Sequence, residues 1–134
     1  MLARPAAAYT RRVATVRYMV RDVDEAVSFY VDVLGFELVS RMGPPFAMVA
    51  RDGLELWLSG PESSAGRSMP DGRVPEPGGW NRLVILVDDV SEALARLDEQ
   101  GTARRNEPVS GPGGTQVVIE DPSGNPIELF TPRS

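Results

Sequence analysis

Two glutamates, Glu55 and Glu128, stand in near-identical surroundings, Leu54-Glu55-Leu56-Trp57 and Ile127-Glu128-Leu129-Phe130. A carboxylate between aliphatic neighbours, two residues before an aromatic ring, can hold a hard divalent cation or accept a proton from a substrate. The rest of the chain narrows the chemistry. There is no histidine among the 134 residues, which removes the commonest general base and the commonest transition-metal ligand. There is no cysteine either, so disulfides, thiolate metal sites and a cysteine nucleophile are excluded. The serines between Ser59 and Ser68 have no histidine partner, which excludes a serine-hydrolase triad. Carboxylates and arginines, chiefly Arg17 and Arg82, are what remains.

The elements that must position these groups follow from an internal repeat. Val20-Arg21-Asp22-Val23-Asp24-Glu25-Ala26 lines up with Val87-Asp88-Asp89-Val90-Ser91-Glu92-Ala93 at an offset of 67 residues, and the two glutamate segments are 73 apart. In each half a β-branched run, beginning with residues 15–20 in the first, predicts a strand. Asp22 with Glu25, and Asp89 with Glu92, have the spacing of a helix N-terminal capping box. The first helix carries Val23, Ala26, Val27, Tyr30, Val33 and Leu34 on one face and stops at Gly35; the second carries Val90, Ala93, Leu94 and Leu97 and stops near Gly101. Short strands are expected at residues 36–40, 46–50 and 54–58, then at 103–106, 116–120 and 126–131. The pattern is βαβββ twice, an α+β fold with mixed sheets, each covered by one helix. Module one is expected at about residues 13–59 and module two at about 81–132. Between them, residues 60–79 hold nine Gly or Pro in twenty positions, the composition of a long connection.

Strand side chains alternate between faces. With Val16, Tyr18, Val20, Leu54, Leu56 and Leu58 packed on the first helix, Thr15, Arg17, Met19, Glu55 and Trp57 face the other, concave side. In the second half Leu83, Ile85, Val87, Ile127 and Leu129 take the helix side, leaving Arg82, Val84, Leu86, Glu128 and Phe130 concave. Two acids, two arginines, two aromatics and several aliphatics suit an amphipathic organic ligand. Trp57 and Phe130, at equivalent positions of the repeat, could flank a ring. Each group also has a plainer role: Arg82 between Glu55 and Glu128 as a structural ion pair, Arg17 as partner of a glutamate or of a ligand anion, and the aromatics as core. Gly111, Gly113 and Gly114 precede no helix N-terminus, so a turn or flap is expected there rather than a phosphate cradle.

Composition sets outer bounds. Hydrophobic residues make up 42% and charged residues 25%, ordinary for a globular domain. The net charge of −5 argues against nucleic acid or an anionic membrane as partner. The opening MLARPAAAYTRR reads as a tail or loose edge segment, too short of apolar residues for a signal peptide, and a cytoplasmic location is expected.

Residues 16–38, VRYMVRDVDEAVSFYVDVLGFEL, and the ending Gly111-Pro112-Gly113-Gly114 with Glu120-Asp121-Pro122-Ser123-Gly124-Asn125-Pro126-Ile127-Glu128-Leu129 resemble the vicinal-oxygen-chelate (glyoxalase/bleomycin resistance protein/dioxygenase) superfamily over nearly the whole chain. The resemblance implies two βαβββ modules forming a curved sheet around a cavity. In metal-dependent members the ligands come from positions that fall here on Thr15, Glu55, Arg82 and Glu128. Two carboxylates are kept, but a guanidinium has no lone pair to give and a threonine is a weak ligand, so no resident metal or other cofactor is expected. The implied function is a metal-independent, bleomycin-resistance-like protein that binds an aromatic or amphipathic small molecule as a homodimer. Its ligand would contact Thr15, Arg17, Met19, Trp57, Arg82, Val84 and Phe130. The alternative is a lyase-, isomerase- or dioxygenase-type enzyme of the same fold, with Glu55 or Glu128 as acid/base or with a carboxylate-bound divalent metal. An apolar cavity favours the protonated carboxyl while neighbouring guanidiniums favour the charged form, so the two influences on such a base oppose each other.

Overall fold

The protein is described here by a computed structural model covering residues 13–133. The expectation of a tail at residues 1–12 lies outside the described residues. The chain runs β1 (Ala14–Met19), α1 (Val23–Ser28), β2 (Glu37–Arg41), β3 (Phe46–Arg51), β4 (Leu54–Ser59), β5 (Leu83–Leu86), α2 (Val90–Glu99), β6 (Val109–Ser110), β7 (Gly114–Glu120) and β8 (Pro126–Pro132). The strands form two four-stranded mixed sheets, ordered β1-β4-β3-β2 and β5-β8-β7-β6, with the β1–β4 and β5–β8 pairs parallel. This is the α+β architecture of two βαβββ units.

Both helices start where the sequence places them. Asp22 Oδ1 accepts from the Glu25 N–H at 3.0 Å and Asp89 Oδ1 from the Glu92 N–H at 3.1 Å, and each cap contributes about 1 kcal/mol. The first helix differs from its expected form. After Ser28 it widens into a π-helical turn over Phe29–Val33, closed by Leu34 N–H to Phe29 O at 3.2 Å. Gly35 then takes φ +75, and Phe36 N–H returns to Tyr30 O at 2.9 Å. The wide turn delivers both Phe29 and Tyr30 to the core, where the rings meet edge to face at 5.3 Å.

The expected strand at residues 103–106 is reduced to a single bridge, Arg104 with Ile119. The Asn106 side chain takes the Val118 N–H at 2.9 Å, and Pro108 has no N–H to offer, so the ladder breaks and resumes only at Val109–Ser110. The Gly-rich stretch ahead of β7 is a turn, with Gly111 N–H bonded to Gly114 O at 2.9 Å and no helix behind it.

The helix-covered faces of both sheets share one continuous apolar core. It takes in Tyr18, Val20, Leu56 and Leu58 from the first sheet, Ile85, Val117, Ile119 and Leu129 from the second, and the inner residues of both helices. Polar fasteners sit inside it. The Tyr18 hydroxyl accepts from the Leu83 N–H at 2.9 Å and donates to Pro126 O at 2.8 Å, so a side chain of the first sheet is threaded between the starting ends of β5 and β8. The Tyr30 hydroxyl donates to Asp121 Oδ2 at 2.8 Å. Asp121 is buried and also accepts from Ser123 N–H, Asn125 N–H and Asn125 Nδ2, which shapes the tight turn between β7 and β8. Asn125 Nδ2 reaches on to Met19 O at 2.7 Å, and Arg21 bonds the turn carbonyls of Pro122 and Ser123. Burial raises the phenol pKa of Tyr18. It raises that of Tyr30 well above 10.0, helped by the adjacent Asp121 carboxylate. No helix among the described residues is long and apolar enough to cross a membrane.

Candidate functional site

The faces turned away from the helices carry the groups singled out by alternation. On β1, Thr15 and Arg17 are exposed while Tyr18 is buried; on β5, Val84 and Leu86 are 53% and 62% exposed while Leu83 and Ile85 are buried. The helix sides of both sheets are taken up by the shared core, which leaves one concave face on each sheet to carry these groups.

The four family ligand positions separate accordingly into two pairs. In the first sheet Thr15 lies opposite Glu55 on the parallel ladder. In the second, Arg82 Nε and Nη2 both reach Glu128 Oε1, at 2.9 and 2.8 Å, and Arg82 Nη1 bonds the Trp80 carbonyl at 3.3 Å. The ion pair expected of Arg82 therefore exists, but with Glu128 and not between both glutamates. Glu55 instead accepts from Trp57 Nε1 at 2.9 Å. As whole residues Glu55 and Glu128 are 9% and 8% exposed, so both are largely withdrawn from bulk water. A metal does not fit these donors: Arg82, a fixed cation without a lone pair, engages the Glu128 carboxylate directly, and Thr15 brings a neutral hydroxyl. Among the described residues no group of three or more His, Cys, Asp or Glu is placed to hold an ion.

The repeat is also out of step with the ladders. The helix starts are offset by 67, but Val20 N–H bonds Ser59 O where Val87 N–H bonds Phe130 O, so β4 and β8 correspond at an offset of 71 rather than 73. Glu128 thus stands opposite Val84, at the place held by Trp57 in the first sheet, and Phe130 takes the place of Ser59. Trp57 and Phe130 are not structural equivalents. A slip of two residues preserves which face each side chain takes, so the concave set survives it intact.

An open cavity on the face of the first sheet has a volume of about 430 Å³ and is lined by Arg17, Met42, Phe46, Met48, Trp57 and Glu62, among others. Phe46 and Trp57 meet edge to face at 5.7 Å, the Arg17 guanidinium lies 5.1 Å from the Trp57 ring centre and 5.9 Å from that of Phe46, and Arg17 Nη1 donates to Ser59 Oγ at 2.9 Å. Phe46, Met42 and Met48 escaped the sequence reading because they sit on β3 and its approach, outside the repeated segments. The parity that placed Trp57 could have found Met48, its partner across the β3–β4 ladder. Met19 is half-buried and lies opposite Ser59 on the β1–β4 ladder, whereas Val84 and Phe130 belong to the second sheet, on the face that also carries Glu128.

Two mixed sheets of this order, with one helix each and ligand positions on the first and fourth strands, define a glyoxalase-type protein. The chain belongs to the Glyoxalase/Bleomycin resistance protein/Dioxygenase superfamily, whose family model matches residues 12–129. Among solved structures it is similar to TnmS3, an antibiotic binding protein from Streptomyces sp. CB03234, at 30% identity and a TM-score of 0.70 over 93% of this chain and 98% of that one. It is 29% identical over 127 residues to a probable chloroplastic lactoylglutathione lyase of Arabidopsis thaliana, covering 90% of this chain and 35% of the relative. It is 29% identical over 119 residues to a catechol-2,3-dioxygenase of Bacillus subtilis (strain 168), covering 85% of this chain and 39% of the relative. The chain spans little more than a third of the length of these two relatives.

Proposed function

We propose that the protein binds an aromatic or amphipathic small molecule on its concave faces without a metal, and that two copies of the chain complete the cavity. The observation that carries the proposal is the Arg82–Glu128 ion pair: the carboxylate that would coordinate an ion is already engaged by a guanidinium of the chain. The pair is partly buried, so breaking it costs a fraction of the about 3–5 kcal/mol of a fully buried one, and this resists displacement of Arg82 by a competing cation. Support for the ligand class comes from the Trp57–Phe46–methionine wall and from the similarity to an antibiotic binding protein. Support for the second copy comes from Val84 and Leu86, two large apolar side chains exposed on the face opposite the core. The module bounds of about 13–59 and 81–132 belong to the same reading, with each cavity joining module one of one copy to module two of the other.

The first test is elemental analysis after exposure to Ni²⁺, Zn²⁺, Mn²⁺ and Fe²⁺ and desalting. No retained ion is expected; one ion held per site would overturn the proposal. Thermal shifts across a panel of aromatic natural products then test the ligand class, since a ligand of the native state raises stability by mass action.

A second reading rests on Glu55. Buried and oriented by the Trp57 indole, it could accept a proton from a bound substrate, which would make the protein a metal-free lyase or isomerase. Loss of turnover in Glu55→Gln with ligand affinity unchanged would establish it.

A further inference from the structure

Arg17 is the one group on the concave faces whose setting is unexplained by the fold. It forms no ion pair with any described acid; its partners are the Ser59 hydroxyl and the faces of Trp57 and Phe46. The sheet does not need it there. At the equivalent place in the second sheet, 67 residues on, stands Val84, and the equivalent of Ser59 is Phe130, so the same ladder forms with two apolar side chains.

A guanidinium laid against two aromatic rings loses little rotational freedom when it later binds. Of its five N–H donors one is used by Ser59, and the fork that remains borders the cavity of about 430 Å³. A planar fork of this kind matches a carboxylate or sulfonate with two parallel bonds. Around it the walls are Met42, Met48, Phe46 and Trp57, which suit a flat ring. One acid, Glu62, also lines the cavity; it lies on the exposed connection after β4, where water screens it.

Resting on the binding function proposed above, we infer that the ligand is an aromatic acid, a planar ring system bearing a carboxylate or similar anionic group, and that Arg17 is the residue that selects for the anion. The ring lies against Trp57 and Phe46, and the anion is held in the plane of the Arg17 fork. The second sheet offers the ligand the apolar Val84, Leu86 and Phe130, while its one concave cation, Arg82, is engaged by Glu128.

The test is calorimetric titration of the full chain with matched pairs that differ only in charge: anthraquinone-2-carboxylate against its carboxamide, and 2-naphthoate against 2-naphthamide. The acids are expected to bind about tenfold or more tighter than the amides, the range of a charge-assisted hydrogen-bond pair. Arg17→Met keeps the length and apolar stem of the side chain. It should bring the acids down to about the affinity of the amides and cost the amides much less than the acids, with an unaltered thermal transition showing that the fold is intact. Glu62→Gln should tighten the acids about twofold and leave the amides alone. If acid and amide bind equally to the unmodified protein, or Arg17→Met weakens both alike, Arg17 selects no anion and the inference falls while the binding function stands. If none of the four compounds binds at millimolar concentration, the inference and the aromatic-ligand reading fall together.

Discussion

Replacing Tyr18 by Phe tests how the two halves are fastened. The ring stays, so its packing in the shared core is preserved, and only the hydroxyl between β5 and β8 is lost. That hydroxyl receives the Leu83 N–H at 2.9 Å and donates to Pro126 O at 2.8 Å, and both residues are buried. Leaving a buried donor or acceptor without a partner costs about 1–3 kcal/mol each. Partial closure of the strands across the gap would recover some of this. The expected loss is about 2–4 kcal/mol, a large fraction of the total stability of about 5–15 kcal/mol common to domains. For a chain of this size it lowers the thermal midpoint by on the order of 10 °C. Urea titration followed by circular dichroism measures it, with the slope expected to match that of the unmodified protein because the surface exposed on unfolding is the same. A loss under about 1 kcal/mol would refute the reasoning, since it would mean that Leu83 and Pro126 find partners without the hydroxyl. A second, separate transition in the variant would refute it differently, by showing that the halves unfold independently.

The raised phenol pKa values of Tyr18 and Tyr30 set an alkaline limit. The folded state disfavours the phenolate, so this contribution is complete below the free-tyrosine value of 10.0 and is lost as pH rises beyond it; urea stability should stay level from neutral pH and then decline, less steeply in Tyr30→Phe. Leu86→Glu places a charge on an exposed apolar strand face, and sedimentation should show dimer converted to monomer with the thermal midpoint of the monomer fold retained. Thr15→His with Arg82→His frees Glu128 and supplies imidazoles at both family ligand positions; the double variant should retain Zn²⁺ or Ni²⁺ through desalting where the unmodified protein retains none. Trp57→Ala should weaken ring-bearing ligands about tenfold, the order of a lost aromatic contact, measured by calorimetry.

What the sequence made legible was what is local or periodic. Asp22 and Asp89 announce their helices because a cap is a three-residue event, and the period of two assigns Thr15, Arg17, Glu55, Trp57, Val84 and Glu128 to their faces without knowledge of the partners. The same period hides the offset between β4 and β8, because a slip of two residues leaves every face unchanged. The break in the ladder at Asn106 depends on a side chain outcompeting a backbone carbonyl for one N–H, which composition does not reveal. Tyr18 and Asp121 were readable as a core residue and as part of a family motif. Their role as fasteners was not, since their partners lie about a hundred residues away in sequence.

The offset between the ladders bears on how a ligand is oriented. A duplicated unit would give a cavity whose two walls are interchangeable, and a ligand could enter it either way round. Here the glutamate motif of β8 sits one pleat, about 6–7 Å along the strand, from the place its counterpart takes on β4. The place of Arg17 is taken by Val84 and that of Trp57 by Glu128. The pseudo-twofold relation survives in the backbone and is erased in the chemistry. If two copies join these faces as proposed, a molecule with distinct head and tail would have one favoured direction between them, and a head-to-tail symmetric one would satisfy only half of the groups.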